Sequence, residues 1–140
     1  MQLMGRYAHT LDAKNRVFIP AKHREILGDR FVIIKNVDDC LSVYSMEEWE
    51  KYTARINELP RTQAREIRRF VFSGAATVEP DSQGRVPINE ELRKFAGIEK
   101  NVVILGCGEY AEIWAEDARL DDESEANTER ILNTMIEAGL

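Results

Sequence analysis

The chain has 140 residues, 44% of them hydrophobic and 31% charged, with 8 glycines and 4 prolines; that suits one domain or two very small ones with a packed core, and excludes a large multidomain enzyme and a disordered chain. No apolar run reaches the roughly 18 residues of a membrane helix, and Met1 to Arg6 lacks the apolar core of a signal peptide, so the cytoplasm is the expected compartment. The net charge of −6 is uneven, with 13 basic and 10 acidic side chains in residues 1–69 against 6 and 15 in residues 70–140, so overall acidity does not exclude a polyanionic partner.

In chain order, Tyr7 to Leu11 reads as a strand that enters a tight turn at Asp12 to Asn15. Val17 and Ile19 then alternate with Arg16 and Phe18, the period of a strand with one buried face. Pro20 suits the first turn of a short helix over about 21–27, and Gly28 its left-handed stop. The apolar runs Phe31 to Ile34 and Leu41 to Tyr44 flank a polar turn, Asn36 to Asp39. Ser45 and Glu48 have the spacing of a capping box, with Ser45 capping and Glu48 reaching back. Trp49, Tyr52, Ile56 and Leu59 recur at helical spacing until Pro60. A second helix follows, with Arg61, Arg65, Arg68 and Arg69 beside Ile67, Phe70 and Phe72, and these arginines are expected at an interface between subunits.

The chain then repeats itself. Asp81-Ser-Gln-Gly-Arg85-Val-Pro-Ile88 superimposes on Asp12-Ala-Lys-Asn-Arg16-Val-Phe-Ile19 with a shift of 69 and no gap. The match runs on through Arg24 with Arg93 and Gly28 with Gly97. After a small length change it aligns Phe31-Val-Ile-Ile34 with Val102-Val-Ile-Leu105. Asn89 is the expected helix cap of the second copy, and Gly106 and Gly108 mark its second hairpin turn. Ile131, Leu132, Met135 and Ile136 give a final amphipathic helix behind an acidic lead, expected to dock on helices of its own chain or a neighbour. One unit alone would leave open sheet edges and bury little. Interleaving both into one pseudo-twofold barrel removes that problem.

The turns carry the chemistry. Their fourth position holds Asn15 or Gly84, the residue types that best tolerate positive φ, so the arginine that follows leaves at a fixed angle. A guanidinium so placed can grip a phosphate or the O6 and N7 of guanine, and Lys14 adds charge in the first copy only. The alternative is that each Asp pairs with its Arg and merely stabilises the turn. Lys22 and Arg24 on the short helix stand equally as nucleic-acid contacts or solvated face. His9 and His23 lack metal-ligand spacing, and His23 beside Lys22 and Arg24 is expected to add a little surface charge at low pH. Cys40 and Cys107, 67 positions apart, suggest neither a disulfide framework nor a zinc site and are expected to be packed thiols. Gly106-Cys-Gly108 has no histidine near it to make a nucleophile. Glu47-Glu48 and Glu90-Glu91 suit helix first turns rather than acid–base catalysis.

Asp-x-x-Gly-Arg followed by an apolar strand and a short helix resembles the AbrB-like, or SpoVT-AbrB, swapped-hairpin DNA-binding domain. Two copies joined by a helical hairpin, with Leu41-Ser-Val-Tyr44, Glu47-Glu-Trp49, Phe72-Ser-Gly74-Ala and Glu112-Ile-Trp114, look like the MraZ family of bacterial transcriptional regulators. The resemblance covers all but roughly the last 20 residues; Asn15 departs from the family's usual glycine. It implies an α+β, mainly β fold: swapped-hairpin repeats at 5–47 and 76–119 forming a pseudo-twofold, double-psi-like barrel, a helical linker at 48–75, and a C-terminal helix at 120–140. It further implies a regulator that binds direct repeats in the promoter of its own operon, in the division and cell-wall gene cluster. Such regulators usually repress, and they assemble as homo-oligomeric rings on the nucleoid. By position, Arg16 and Arg85 read DNA, Lys14 contacts phosphate, and Asp12, Asn15, Asp81 and Gly84 shape the turns. Double-stranded DNA and the chain itself are the expected partners, with no metal, cofactor, membrane, small-molecule substrate or enzymatic activity. An AbrB-type antitoxin or an assembly module is the alternative.

Overall fold

Strand β1 (Arg6–Thr10) pairs not with its sequence neighbour but with β7 (Asn101–Gly106) of the second repeat, Arg6 lying opposite Leu105 and Thr10 opposite Asn101. This exchange organises the whole computed structural model, which describes residues 1–140. β2 (Arg16–Phe18) pairs with β6 (Arg85–Pro87), placing Val17 against Val86, both fully buried. The other strands are β3 (Phe31–Lys35) and β4 (Leu41–Ser45) of the first repeat and β5 (Ala76–Val78) and β8 (Ala111–Ala115) of the second. With β1 and β7 they form a six-stranded antiparallel sheet in the order β1-β7-β8-β4-β3-β5. The order is symmetric: each repeat's first strand pairs with the other's third, and β4 meets β8 at the centre, Ser42 opposite Glu112.

Both repeats contribute to one core of 20 buried residues, among them Phe31, Ile33, Leu92, Ile104 and Ile113. Each such side chain contributes about 1.5–3 kcal/mol on burial, and either repeat alone would expose most of them. The architecture is α+β, with antiparallel sheets and six helices.

Helix α1 (Ala21–Leu27) follows Pro20, and α4 (Glu90–Ala96) is capped by Asn89, whose Oδ1 accepts from Leu92 N at 2.9 Å. Gly97 closes α4 in the left-handed conformation (φ 65°, ψ 27°), whereas Gly28 ends α1 with positive φ and extended ψ (84°, −171°), so the expected left-handed stop holds for the second copy and only in φ for the first. α2 (Met46–Asn57) and α3 (Arg61–Gly74) form the expected hairpin, packing Ile56 and Val71 on Val32 and Ile34 at the outer sheet face. Ser45 Oγ accepts from Glu48 N at 3.2 Å, but the Glu48 carboxylate turns to Lys51, so only half of the capping box forms.

The C-terminal stretch is two helices rather than one, α5 (Glu116–Asp122) and α6 (Glu125–Glu137), because Ser124 Oγ accepts from Asn127 N and starts α6 afresh. No residue of α6 is buried, so it does not dock on its own chain. No helix is long and apolar enough to cross a membrane. Gly108 occupies the β7–β8 turn at φ +86°, as expected, but Gly106 has another task. A Cβ there would lie 2.3 Å from Met4 N, so glycine lets the N-terminal backbone cross close enough for Leu3 and Gly108 to exchange two 2.8 Å hydrogen bonds.

Candidate nucleic-acid interface

The two Asp-to-Arg turns are built alike. Asp12 Oδ1 accepts from the backbone N–H groups of Lys14 and Arg16, each at 2.9 Å, and Asp81 Oδ1 does the same for Gln83 and Arg85. A short carboxylate at the first position reaches both amides, which folds the backbone into an Asx turn. Asn15 and Gly84 take the positive-φ position as expected, at 58° and 80°. Asparagine is among the few side-chain-bearing residues that enter this region routinely.

Because β2 pairs with β6, the turns meet. Arg16 Nε lies 2.8 Å from Asp12 Oδ2 and Arg85 Nε 3.0 Å from Asp81 Oδ2. Across the repeats, Arg85 Nη1 is 3.3 Å from Asp12 Oδ2 and Arg16 Nη1 is 3.6 Å from Asp81 Oδ2. Each carboxylate therefore spends one oxygen on the backbone and the other on both guanidinium groups. Two positive and two negative charges cancel within the cluster. The arginine side chains remain 28% exposed; Arg85 Nη1 hydrogen-bonds across the repeats whereas Arg16 Nη1 makes only the longer ion pair, and a guanidinium has five N–H donors, so each retains free ones.

The backbone N–H of Arg16 is the main cause holding the Asp12 carboxyl below its ordinary value of 3.8, with the Arg16 side chain and the Lys14 amide adding to it against partial desolvation. Asp81 is lowered in the same way, first by the backbone N–H of Arg85. Both hydrogen bonding to the charged form and a nearby cation favour ionisation.

The remaining expected site residues separate. Lys14 is exposed and makes no ion pair, and Gln83 replaces it in the second turn. Lys22 is exposed on α1 but borders a hollow with Met1, Met4 and Tyr7, away from the Asp–Arg cluster. Arg24 is half-buried and tied to the protein: its Nε donates to Ile19 O at 2.9 Å and its guanidinium lies over Phe18. A Cβ on Gly84 would sit 2.7 Å from Arg24 Cζ, so Arg24 packs against the second turn. Arg93 donates to Ile88 O at 2.5 Å in the equivalent way; its place opposite Arg24 in the repeat is the sequence signal for that role.

Two other residues lie differently from expectation. His23 is buried rather than at the surface, with Nε2 2.8 Å from Met4 O and its ring edge-on to Tyr7. Four residues before the buried Leu27, it points inward with the core face of α1. Cys40 is buried as expected, but Cys107 is exposed. Desolvation, with the Glu112 carboxylate adding to it, pushes the Cys107 thiol up to about 11, which leaves little nucleophilic thiolate at neutral pH.

Comparison with known proteins bears on this geometry. The family described as "MraZ protein, putative antitoxin-like" matches residues 2–70 and again 71–136. The chain is 50% identical over 117 residues to the transcriptional regulator MraZ of Thermoanaerobacter sp. (strain X514), covering 82% of each chain. It is 42% identical over 141 residues to the protein of that name from Alkaliphilus metalliredigens (strain QYMF), covering 98% of this chain and 99% of the relative, and 42% identical over 142 residues to that from Caldicellulosiruptor bescii, covering 99% of each. Among solved structures, that of PHS018 from Pyrococcus horikoshii matches 79% of this chain and 96% of its own with 20% identity and a TM-score of 0.35, a likeness too slight to carry an argument.

Proposed function

Because the chain belongs to the MraZ family, a non-enzymatic family of transcriptional regulators, we propose that it is a sequence-specific DNA-binding repressor of its own operon, in the division and cell-wall gene cluster, acting on direct repeats in the promoter. The observation that carries this reading is the pair of turn arginines, each held by two aspartates and still 28% exposed. A fork held in one orientation loses little entropy on meeting a guanine edge or a phosphate. In this reading Arg16 and Arg85 contact bases, Lys14 contacts a phosphate, and Lys22 is an outlying phosphate contact. Arg24 is a secondary nucleic-acid contact that also braces the second turn, and Asp12, Asn15, Asp81 and Gly84 fix the shape of both. The two sheets act as one pseudo-twofold, double-psi-like barrel formed by repeats 5–47 and 76–119, a view supported by the core they share.

A charge-neutral cluster attracts DNA weakly, so one chain needs help. Homo-oligomeric rings that repeat the turn pair against repeated sites raise the effective concentration of each contact, and the reading includes such rings, acting on the nucleoid in the cytoplasm. Fluorescence anisotropy tests it. The protein should bind duplex DNA from upstream of its own gene tightly and with salt sensitivity, prefer it to a scrambled duplex, and lose that preference when Arg16 and Arg85 are both alanine. Equal weak binding to both duplexes would instead favour an antitoxin-like or assembly module.

A further inference from the structure

The two turns share one backbone and differ at their tips. Lys14 N and Gln83 N each donate to an aspartate Oδ1 at 2.9 Å. The strands that follow are tied alike, Ile88 N donating to Asn15 O at 3.0 Å and Ile19 N to Gly84 O at 2.9 Å. Antiparallel pairing of β2 with β6 sets the turns at opposite ends of this ribbon, with the Asp–Arg cluster between them. The pseudo-twofold relation that exchanges Arg16 with Arg85 therefore exchanges Lys14 with Gln83. Both residues are exposed, and their hydrogen bonds are made by the backbone alone.

The chemistry at the two ends is not the same. Lys14 carries an ammonium with donors only, which suits a phosphate and has nothing to accept the N6–H of adenine. Gln83 carries a planar amide with donor and acceptor side by side, the complement of the N7 acceptor and N6 donor on the major-groove edge of adenine. The neighbouring positions also differ, Ala13 against Ser82 and Phe18 against Pro87. Neither Ser82 nor Phe18 offers a planar donor–acceptor pair, and Phe18 is engaged with His9 and Arg24. We infer that Gln83 is a specificity-determining residue that reads an adenine beside the base contacted by Arg85, while Lys14 at the opposite end holds a phosphate. Two like tips would let one chain bind its DNA element in either direction. Unlike tips give the element a direction, and only an element with a direction distinguishes head-to-tail repeats from inverted ones. This rests on the DNA reading of the proposed function, in which Arg16 and Arg85 contact bases, and needs no second chain.

The test is selection from a fully randomised duplex library by the purified full chain, with sequencing of the bound fraction. The parent should enrich a non-palindromic element that carries an A·T pair at one end only. That pair should lie beside the guanine whose enrichment is lost in Arg85→Ala, and should be favoured about 5- to 150-fold over the other pairs. Gln83→Ala should erase this preference and keep the guanines. Gln83→Glu should replace it with a preference for cytosine, whose N4 donates to a carboxylate. Lys14→Gln should add an A·T pair at the other end and make the element palindromic. These side chains are exposed and bond nothing in the chain, so the variants keep the parent's turns. Enrichment of the same adenine by Gln83→Ala, or an element unchanged by Lys14→Gln, overturns the inference and leaves the DNA reading standing. Enrichment of no element by the parent overturns both. As a second readout, Lys14→Ala should lower the salt slope of binding to the enriched duplex by about one without altering the element. An altered element would give both tips the same role and overturn the inference.

Discussion

Arg85 Nη1 of the second repeat lies 3.3 Å from Asp12 Oδ2 of the first, although 73 residues separate them in sequence. The same oxygen accepts from Arg16 Nε at 2.8 Å. Neither arginine is therefore held by its own turn alone. Removing either guanidinium leaves an excess of carboxylate on the face proposed to meet DNA, and loosens the arginine that remains.

Arg16→Ala and Arg85→Ala should each weaken binding to the upstream duplex by about 1–3 kcal/mol per base pair contacted. Coupling through the shared carboxylates should make the double variant depart from the sum of the singles by about 0.5–3 kcal/mol. Anisotropy titrations at one salt concentration measure all four corners of the cycle. Strict additivity would mean that the cross-repeat pairs do not act.

The turn carboxylates set an acid limit on stability. Their folded pKa values lie below the ordinary 3.8, so their contribution is fully present above that value and is lost as pH falls through the lower folded one. Asp12→Asn with Asp81→Asn keeps an acceptor for the Asx turns but removes the charge. Urea midpoints should then fall less steeply below about pH 4 in the variant than in the parent. Equal slopes would assign the acid sensitivity to other groups.

Gly84→Ala should cost about 1–3 kcal/mol, because φ is +80° and the new Cβ would press on the Arg24 guanidinium. Asn15→Gly should change stability far less, since it only relieves a side chain from the same backbone region. Combining Gly84→Ala with Arg24→Ala should return the part of the loss that comes from the clash. Chemical denaturation of these chains, of Arg24→Ala alone and of the parent separates strain in φ from contact with Arg24.

Gly106→Ala should displace the N-terminal segment. Its Cβ would fall 2.3–2.5 Å from the Met4 backbone, which no rotamer change can relieve. Hydrogen exchange should accelerate at the amides of Leu3 and Gly108, which bond each other's carbonyls in the parent. Exchange unchanged from the parent would show that the crossing has room to shift.

Local chemistry made the turns legible in the sequence. An aspartate that caps its own backbone and a residue that tolerates positive φ act within five positions, so Asp12 to Arg16 and Asp81 to Arg85 declare their shape without the rest of the fold. The helix Ala21–Leu27 was readable for the same reason. Roles set by distant approach were not. Arg24 packs against the second turn only because Gly84, 60 residues on, comes up against it, and the Arg85 to Asp12 contact depends on the β2–β6 pairing. His23 sits between two charged neighbours that conceal its inward register, and Ser124 caps α6 within an acidic run that reads as one continuous lead.

The exchange of strands between repeats also orders events on the ribosome. Arg6 pairs with Leu105 and Val17 with Val86, so the first repeat leaves the exit tunnel with β1 and β2 unsatisfied. At about 5–20 residues per second, β1 waits roughly 5–20 s for its partner to be synthesised. A stop codon or a long pause within the second repeat thus yields no half-sized domain, only a nascent chain with exposed strand edges, open to pairing with the next chain emerging from the same message.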